Sequence, residues 1–417
     1  MSNITAIVLA AGRGTRMKSD TPKVLHEVLG KPIILYVLEA LKKAGVKDII
    51  VVAGYKSDLL KNVIGTARVA IQKKLLGSGD AAVSAKKYLK FASRGDVLIT
   101  CGDAPLIRPE TFRRLIAKHM SSGASATVLT AKVKDPSEYG RIVRDAGRKV
   151  AAITEYKDAS EREKAIDEIN VGTYCFKSAD LFAALSKVMP NNNKKEYYLT
   201  DTLSIIRSGM LKPVESVLAE DESEVIGINT RADMAEASMR LKNMVLRSLM
   251  AEGVTIEDPG TTTIHPGAKI GRDTVIKSNT VIESGVVIGK RCQIGPFARI
   301  RPGTSISDDA EIGNFVELVR TAVGKGTKVK HHTYLGDAIV GKDVNIGAGT
   351  ITANYDGKSK NKTVIDDGAF IGVGAILISP VKIGSRATVG AGCVVPKKHN
   401  VPPGATVVGV PAKVLRK

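Results

Sequence analysis

From Ile264 onward an aliphatic residue recurs at every sixth position without a slip: Ile264, Ile270, Ile276, Ile282, Ile288, Ile294, Ile300, Ile306, Ile312 and Leu318. Neither a helix, with its period of about 3.6, nor an alternating strand, with its period of 2, produces that spacing, so the stretch is read as a repeat whose units bury their aliphatics on one another. Four residues after each aliphatic stands one small enough to pack at a corner: Ala268, Thr274, Thr280, Val286, Cys292, Ala298, Thr304, Ala310, Val316 and Ala322. Cys292 is therefore expected to pack rather than react. The period resumes at Ile365, Ile371, Leu377, Ile383, Val389, Val395, Val401 and Val407. One stretch, TANYDGKSKNKT from Thr352 to Thr363, breaks it. A loop expelled from a repeat is either a tolerated insertion or a functional arm.

The rest of the chain follows another grammar. Across residues 1–228, short β-rich runs (TAIVLA, DIIVVAG, DVLITCG, SATVLTA) alternate with amphipathic stretches such as PIILYVLEALKKAG, the pattern of a largely parallel α/β sheet. Residues 229–253 read as one helix, in which Thr230 and Asp233 form a start signal, Met234, Leu241, Val245 and Leu249 lie near one face, and Gly253 ends it. Residues 254–417 hold the repeat.

Composition narrows the partners. Sixty-two Lys+Arg against 42 Asp+Glu give a net charge of +20, which suits nucleic acid, an anionic membrane or small polyanions. The basic residues come as scattered pairs without interleaved aromatics, so nucleic acid is disfavoured. Cys101, Cys175, Cys292 and Cys393 form no metal-ligand spacing and fit a reducing, cytoplasmic setting. The opening MSNITAIVLAAG lacks the features of an export leader, and no apolar run reaches the ~18 residues of a membrane span, so no membrane anchor is expected.

LAAGRGTRM, Leu9 to Met17, follows a strand and turns at Gly12 and Gly14, where backbone N–H groups can approach an anion. It satisfies neither the dinucleotide fingerprint nor the Walker pattern. Arg16 and the following Pro22-Lys23 add two cations suited to a triphosphate; the alternative is a Gly-rich turn with solvated cations. GDAPL places Asp103 just past a strand's carboxyl end, where α/β sheets bind ligands and a carboxylate can hold Mg²⁺ beside phosphates. A plain Asp-Gly turn would read the same. QKKLLGSGDA from Gln72 and EINVG from Glu168 add polar groups ahead of tight turns.

In the hexad beginning at Val329, His331 and His332 occupy the third and fourth positions, between an inward aliphatic and the small Thr333. Both should face outward. Such hexads wind into a triangular prism, and a surface imidazole in a groove between neighbouring prisms can act as a general base, but the register does not say which of the two would.

In this order, LAAGRGTRM, PK and GDAPL resemble the sugar-1-phosphate nucleotidyltransferases. With QKKLLGSGDA, YGRI at Tyr139, NNNKKEYYLTD at Asn191, GNFVE at Gly313, HHTYLGDA at His331 and NIGAGTITANYDG at Asn345, nearly the whole chain resembles the bifunctional N-acetylglucosamine-1-phosphate uridylyltransferase/glucosamine-1-phosphate acetyltransferase family. The fold implied is an α/β Rossmann-like nucleotidyltransferase domain, a linker helix and a left-handed parallel β-helix. The function implied is acetyl transfer from acetyl-CoA to glucosamine-1-phosphate, then uridylyl transfer from UTP to N-acetylglucosamine-1-phosphate, in a homotrimer. Carried over position by position, the resemblance gives the nucleotide to Leu9, Ala10, Ala11 and Gly12, and the uracil to Gln72, Gly77 and Ser78. It gives the triphosphate to Arg16 and Lys23, the sugar to Gly140, Glu155 and Asn170, and Mg²⁺ to Asp103 and Asn229. In the repeat it makes His331 the base, Arg301, Tyr334 and Asn345 the sugar-phosphate contacts, and Ala348, Asn354, Tyr355 and Ala391 the acetyl-CoA contacts.

The chain departs from the family pattern at three of these places. Val319, followed by Arg320, stands where the family has a Lys that contacts the sugar phosphate; Val373 and Gly409 stand where it has a Ser and an Arg near coenzyme A. Two other functions stay open: a nucleotidyltransferase whose prism is a trimerising scaffold or acts on another amino sugar, and a non-catalytic regulatory subunit, which would usually have lost the phosphate and metal residues.

Overall fold

The strand Ile4–Ala10 (β1) is buried along nearly its whole length, as a parallel strand covered on both faces must be. Ala6 and Val8 pack into one hydrophobic cluster and Ile7 into another, so the sheet separates two cores. The protein is described by a computed structural model covering residues 4–89, 95–136 and 138–415; the first three residues of the opening and the last two of the ending VVGVPAKVLRK lie outside it. The chain divides into two compact units, Met1–Ser238 and Met239–Lys417. The boundary falls inside the helix Arg231–Ala251, whose start carries reciprocal bonds: Asp233 N donates to Thr230 Oγ1 at 3.1 Å and Thr230 N to Asp233 Oδ2 at 2.9 Å.

Apart from a small antiparallel pair, Glu27–Val28 with Lys31–Pro32, the further strands of the first unit are Asp48–Ala53 (β2), Arg68–Ile71 (β3), Asp96–Cys101 (β4), Ala126–Lys132 (β5), Arg141–Arg144 (β6), Val150–Thr154 (β7), Glu168–Lys177 (β8) and Val214–Leu218 (β9). They form one sheet of order β9-β5-β8-β4-β1-β2-β3, with β6 and β7 as a side hairpin reached through β8. β1 runs parallel to β2 and β4, in register at Leu9↔Val52 and Leu9↔Cys101. The loops after Ala10, Ala53 and Cys101 therefore leave the sheet at one edge, which places LAAGRGTRM beside GDAPL.

The second unit is a prism of three sheets, with ten, eight and seven strands, parallel throughout except for the last strand, Lys413–Val414, which runs antiparallel to Thr406–Val408. Strands pair with those one coil away: Ile264 with Ile282, Ile282 with Ile300, Ile300 with Leu318, Leu318 with Leu335. The hexad aliphatics are the core, with Ile276, Ile282, Ile294 and Ile300 at 0 % exposure. The stack begins before Ile264, since Thr255–Ile256 already pairs with Val275–Ile276.

The corner expectation needs one correction. Ala322 is exposed, and the buried corner residue is Thr321. After Leu318 the next inward aliphatic is Val323, one position early, because the chain turns its corner at Arg320 with φ 48 and advances a residue short. A second short corner, at Asp337 with φ 51, brings Val340 in after Leu335. TANYDGKSKNKT begins and ends inside the prism, with Thr352 and Thr363 buried, while Tyr355 to Lys360 are exposed. Cys292 lies at 0 % exposure, and burial pushes its thiol pKa up, as expected of a packing residue.

Candidate functional sites

In the first unit the loop after β1 leads into a short turn of helix, Thr15–Met17. A Cβ at Gly12 would meet nothing within 4 Å, so the protein's own packing does not require glycine there and the backbone stands open to an approaching group. Gly14 differs: its φ is 65 and a Cβ would fall 2.6 Å from Lys23 Cβ. Its lack of a side chain lets Lys23 lie against the loop.

Lys23 is the point where distant parts of this unit meet. Its ammonium pairs with Asp103 and donates to Asn229 Oδ1 at 3.0 Å, residues 80 and 206 positions away along the chain. Asp103 stands just beyond β4. Asn229 is held by the helix start beside it, since its own N–H donates to Asp233 Oδ2 at 2.8 Å. Two hard oxygen donors thus converge on one cation. Among the described residues no group of three or more His, Cys, Asp or Glu could hold a metal ion by itself. A carboxylate and an amide oxygen, here both turned to the Lys23 ammonium, are hard donors of the kind Mg²⁺ takes beside waters and substrate phosphates, so the residues fit that ion.

Beside this cluster is a cavity of about 380 Å³ lined by Arg16, Tyr139, Glu155, Lys194, Tyr198 and Asn229, among others. Of Gly140, Glu155 and Asn170 only Glu155 lines it, and the other two lie against Glu155: a Cβ on Gly140 would lie 3.6 Å from Glu155 Oε2 and 3.5 Å from Asn170 Cβ. Asn170 N donates to the Gly140 carbonyl at 2.8 Å, and Asn170 Oδ1 accepts from Gly172 N at 3.0 Å. Burial pushes the Glu155 carboxyl pKa up, while the Thr200 hydroxyl, donating at 3.2 Å, pulls it the other way. Arg16 reaches the cavity edge and pairs with Glu138 at 2.7 Å. Gln72, Gly77 and Ser78 lie outside the cavity lining but are tied to one another's segment. Gln72 Nε2 donates to Gly77 O at 3.1 Å and to Asp80 Oδ2 at 2.7 Å, and Ser78 Oγ accepts from Leu199 N at 3.0 Å.

In the prism, both His331 and His332 are exposed, as the hexad register requires. Their contacts separate them. His331 Nδ1 lies 2.7 Å from Asn314 Oδ1, on the coil below, whereas the His332 ring stacks on Phe315 at 5.0 Å and Phe315 on Phe297 at 5.1 Å. The register pairs Asn314↔His331, Val329↔Ile346, Ile346↔Ile371, Ile371↔Val389 and Val389↔Val407 stack successive coils. Two residues beyond each of the last four lies one corner, which therefore carries Asn314, His331, Ala348, Val373, Ala391 and Gly409 in a column. Ala348 and Ala391 share it with two of the three departures.

Arg301 and Tyr334 belong to the next face around that corner, where Arg301 NH1 donates to Glu317 Oε1 at 3.0 Å and Glu317 is in register with Tyr334. Asn345 stays on the His331 face, paired with Lys328. Asn354 is buried and donates to Asp337 Oδ2 at 2.6 Å, while Tyr355 is exposed and donates to Gly357 O. Val319 is buried at 4 % exposure, so its side chain is withdrawn from any ligand. Arg320 is held by Asp337 in a two-pronged pair, Nε to Oδ1 at 2.6 Å and NH2 to Oδ2 at 2.8 Å.

The sequence reading did not single out Asn314, Glu317 or Asp337. Asn314 and Asp337 each lie 17 positions, one short coil, from their partners His331 and Arg320, and that spacing was the available signal.

Two family models match the chain: a MobA-like NTP transferase domain over residues 6–198, and bacterial transferase hexapeptide repeats over residues 285–320 and 362–397. Curated relatives match along almost the whole length. One, named bifunctional protein GlmU, from Heliobacterium modesticaldum, is 45% identical over 98% of this chain and 96% of its own. Proteins of the same name from Carboxydothermus hydrogenoformans (44%, covering 93% of each chain) and Geobacillus thermodenitrificans (45%, covering 97% and 95%) are similar to the same extent.

Proposed function

The chain belongs to the bifunctional GlmU family, and we propose that it makes UDP-N-acetylglucosamine by acetylating glucosamine-1-phosphate in the prism and uridylylating the product in the α/β unit. In the uridylyl step an oxygen of the sugar phosphate attacks the α-phosphorus of UTP in line and pyrophosphate leaves. Such a transfer depends on positioning and charge neutralisation and needs no protein nucleophile. Leu9, Ala10, Ala11 and Gly12 hold the nucleotide, Gln72, Gly77 and Ser78 surround the uracil, and Gly140, Glu155 and Asn170 hold the sugar. Arg16 and Lys23 counter the triphosphate charge. Asp103 and Asn229 would hold Mg²⁺, which when bound would supply charge neutralisation at the phosphate oxygens.

The observation that carries this reading is the meeting of Asp103 and Asn229 on the Lys23 ammonium. Nothing in the packing of a plain Asp-Gly turn requires a lysine and an asparagine from remote segments to converge on it.

In the prism, His331 accepts a proton as the sugar amine attacks the thioester carbon of acetyl-CoA. The C–N bond forms, the C–S bond breaks, and the proton goes to the departing thiolate. Arg301, Tyr334 and Asn345 hold the sugar phosphate, and Ala348, Asn354, Tyr355 and Ala391 line the acetyl-CoA path. The active assembly is a homotrimer with these sites between copies. Four free cysteines, and no helix among the described residues long and apolar enough to cross a membrane, support a cytoplasmic enzyme.

A second reading has a specific observation in its favour. With Val319 buried and Arg320 engaged by Asp337, the prism lacks a free cation at the place where the family has a lysine, which favours another amino sugar or a scaffold role. Incubation with glucosamine-1-phosphate, acetyl-CoA, UTP and Mg²⁺, repeated with each omitted, separates the readings. Product that requires all four supports the bifunctional enzyme; pyrophosphate released only when N-acetylglucosamine-1-phosphate is supplied leaves the transferase alone.

A further inference from the structure

The His331 imidazole has two ring nitrogens, and only one of them can serve a substrate if the other is tied down. Nδ1 lies 2.7 Å from Asn314 Oδ1, an amide oxygen that accepts and cannot donate. The proton of the neutral ring therefore sits on Nδ1, and Nε2 keeps its lone pair. The backbone fixes the same geometry: Asn314 and His331 are register partners on adjacent coils, and the Asn314 carbonyl accepts from His332 N at 3.0 Å.

We propose that Asn314 is a positioning residue for acetyl transfer: it fixes the tautomer and orientation of His331 so that Nε2 faces the substrate amine. This rests on His331 being the base of the acetyl step, as read above. An amide partner, unlike a carboxylate, orients the ring without adding a negative charge that would hold a proton on Nε2.

The surroundings of the ring are charged and have to be counted. Glu311 lies on the coil below, Lys328 and Lys330 on the same strand, and Lys277 in the same concavity of about 260 Å³. Lys330 pairs with Glu311 at 2.7 Å. The coil above, Asn345 to Ala348, presents no ionisable side chain. Replacing Asn314 by a carboxylate is thus the change that most directly alters the charge beside Nδ1.

The test is a kinetic comparison of full-length wild type, Asn314→Ala, Asn314→Asp and His331→Ala in acetyl transfer to glucosamine-1-phosphate across pH, with uridylyl transfer and assembly state as controls. Asn314→Ala should lower kcat about tenfold or more while leaving KM for both substrates within about twofold. Asn314→Asp should recover most of kcat at high pH, with the acid limb of the profile displaced upward by about one unit or more, since a carboxylate favours the imidazolium. Asn314→Ala with unchanged kcat and pH profile overturns the proposal, as does an Asn314→Asp profile that does not move. Failure of the underlying reading looks different: His331→Ala would itself retain acetyl transfer, or the wild type would show none.

Discussion

In the α/β unit, Lys23 reaches Asp103 across 80 positions of sequence and Asn229 across 206, whereas in the prism His331 finds Asn314 and Arg320 finds Asp337 at 17 positions each. The first site exists because parallel strands and their connections return to one edge of a sheet. The second exists because coils stack, so a side chain's neighbours are those one turn away. Long-range convergence makes a cluster whose parts are mutually indispensable. Stacking makes a column in which each residue leans on the ones above and below and is indifferent to the rest.

If the two sites are as separate as their construction suggests, inactivating one leaves the other intact, and this is the largest effect expected. Asp103→Ala should reduce pyrophosphate release from UTP by about 10²- to 10⁴-fold, as expected when transition-state charge loses its partner, with acetyl transfer within about twofold of wild type. His331→Ala should do the reverse. Loss of both activities in either variant would break the comparison.

The same separation should appear in stability. Ile300 is fully buried in the prism and Ile50 fully buried in the sheet. Truncating either to Ala should cost about 2 to 5 kcal/mol. On heating, Ile300→Ala should lose acetyl transfer at a lower temperature than wild type while uridylyl transfer persists, and Ile50→Ala should show the opposite order. Equal loss of both activities would mean that the two units unfold as one.

These differences in construction also decide what could be read beforehand. The hexad period is a local rule, so the prism, its core aliphatics and the outward direction of His331 and His332 followed directly from spacing. The rule failed where the chain advances one residue short, because Thr321 and Ala322 are both small and either satisfies the corner. Only the backbone at Arg320, in the left-handed region, decides between them. In the α/β unit the strands and the glycine-rich loop were legible, but no spacing could have joined Asn229 to Asp103. That assignment came from family resemblance, and its geometric partner, the Lys23 ammonium, emerged only in three dimensions. The column of Ala348, Val373, Ala391 and Gly409 was hidden for a related reason: the expelled loop makes one coil longer than its neighbours, which scrambles simple counting.

A smaller effect tests the short corners themselves. Asp337 accepts two bonds from Arg320 and one from Asn354, and the Arg320 bonds hold its carboxyl below the usual 3.8. A carboxyl lowered in the folded state stabilises the fold above the unfolded value and loses that contribution as the pH falls through the folded one. Asp337→Asn should therefore cost about 1 to 2 kcal/mol at neutral pH, a figure kept low because Arg320 is partly exposed, and the deficit should shrink below about pH 3.8. Denaturant unfolding at pH 7 and pH 3 measures it; a deficit that stays constant or grows in acid would rule out the ion pair as its source. Freed of Asp337, Arg320 also becomes available to a phosphate, so a fall in KM for glucosamine-1-phosphate in this variant would show that the lost lysine at position 319 limits the wild type.

The smallest effect addresses the slip in register, where two adjacent residues exchange the roles the hexad count assigns them. Thr321 is fully buried, and its hydroxyl lies 2.9 Å from the Leu335 carbonyl, to which it donates, and 3.4 Å from Ala338 N, from which it accepts. It thus bridges one coil to the next at the point where the backbone ladder is shortened. Thr321→Ala should cost about 1 to 2 kcal/mol, because a buried N–H and a carbonyl lose their partner. Ala322, beside it in the strand Ala322–Val323, faces outward, so Ala322→Glu should change stability by no more than about 0.5 kcal/mol. In the unslipped hexad frame the same glutamate would be driven into the prism core and cost several kcal/mol, the penalty for burying an unpaired charge. Thermal unfolding of the two single variants therefore reads the register directly: a tolerated Glu at 322 with a costly Ala at 321 requires the short coil, and a coil shortened there brings Arg320 and Asp337 to the same corner of the prism.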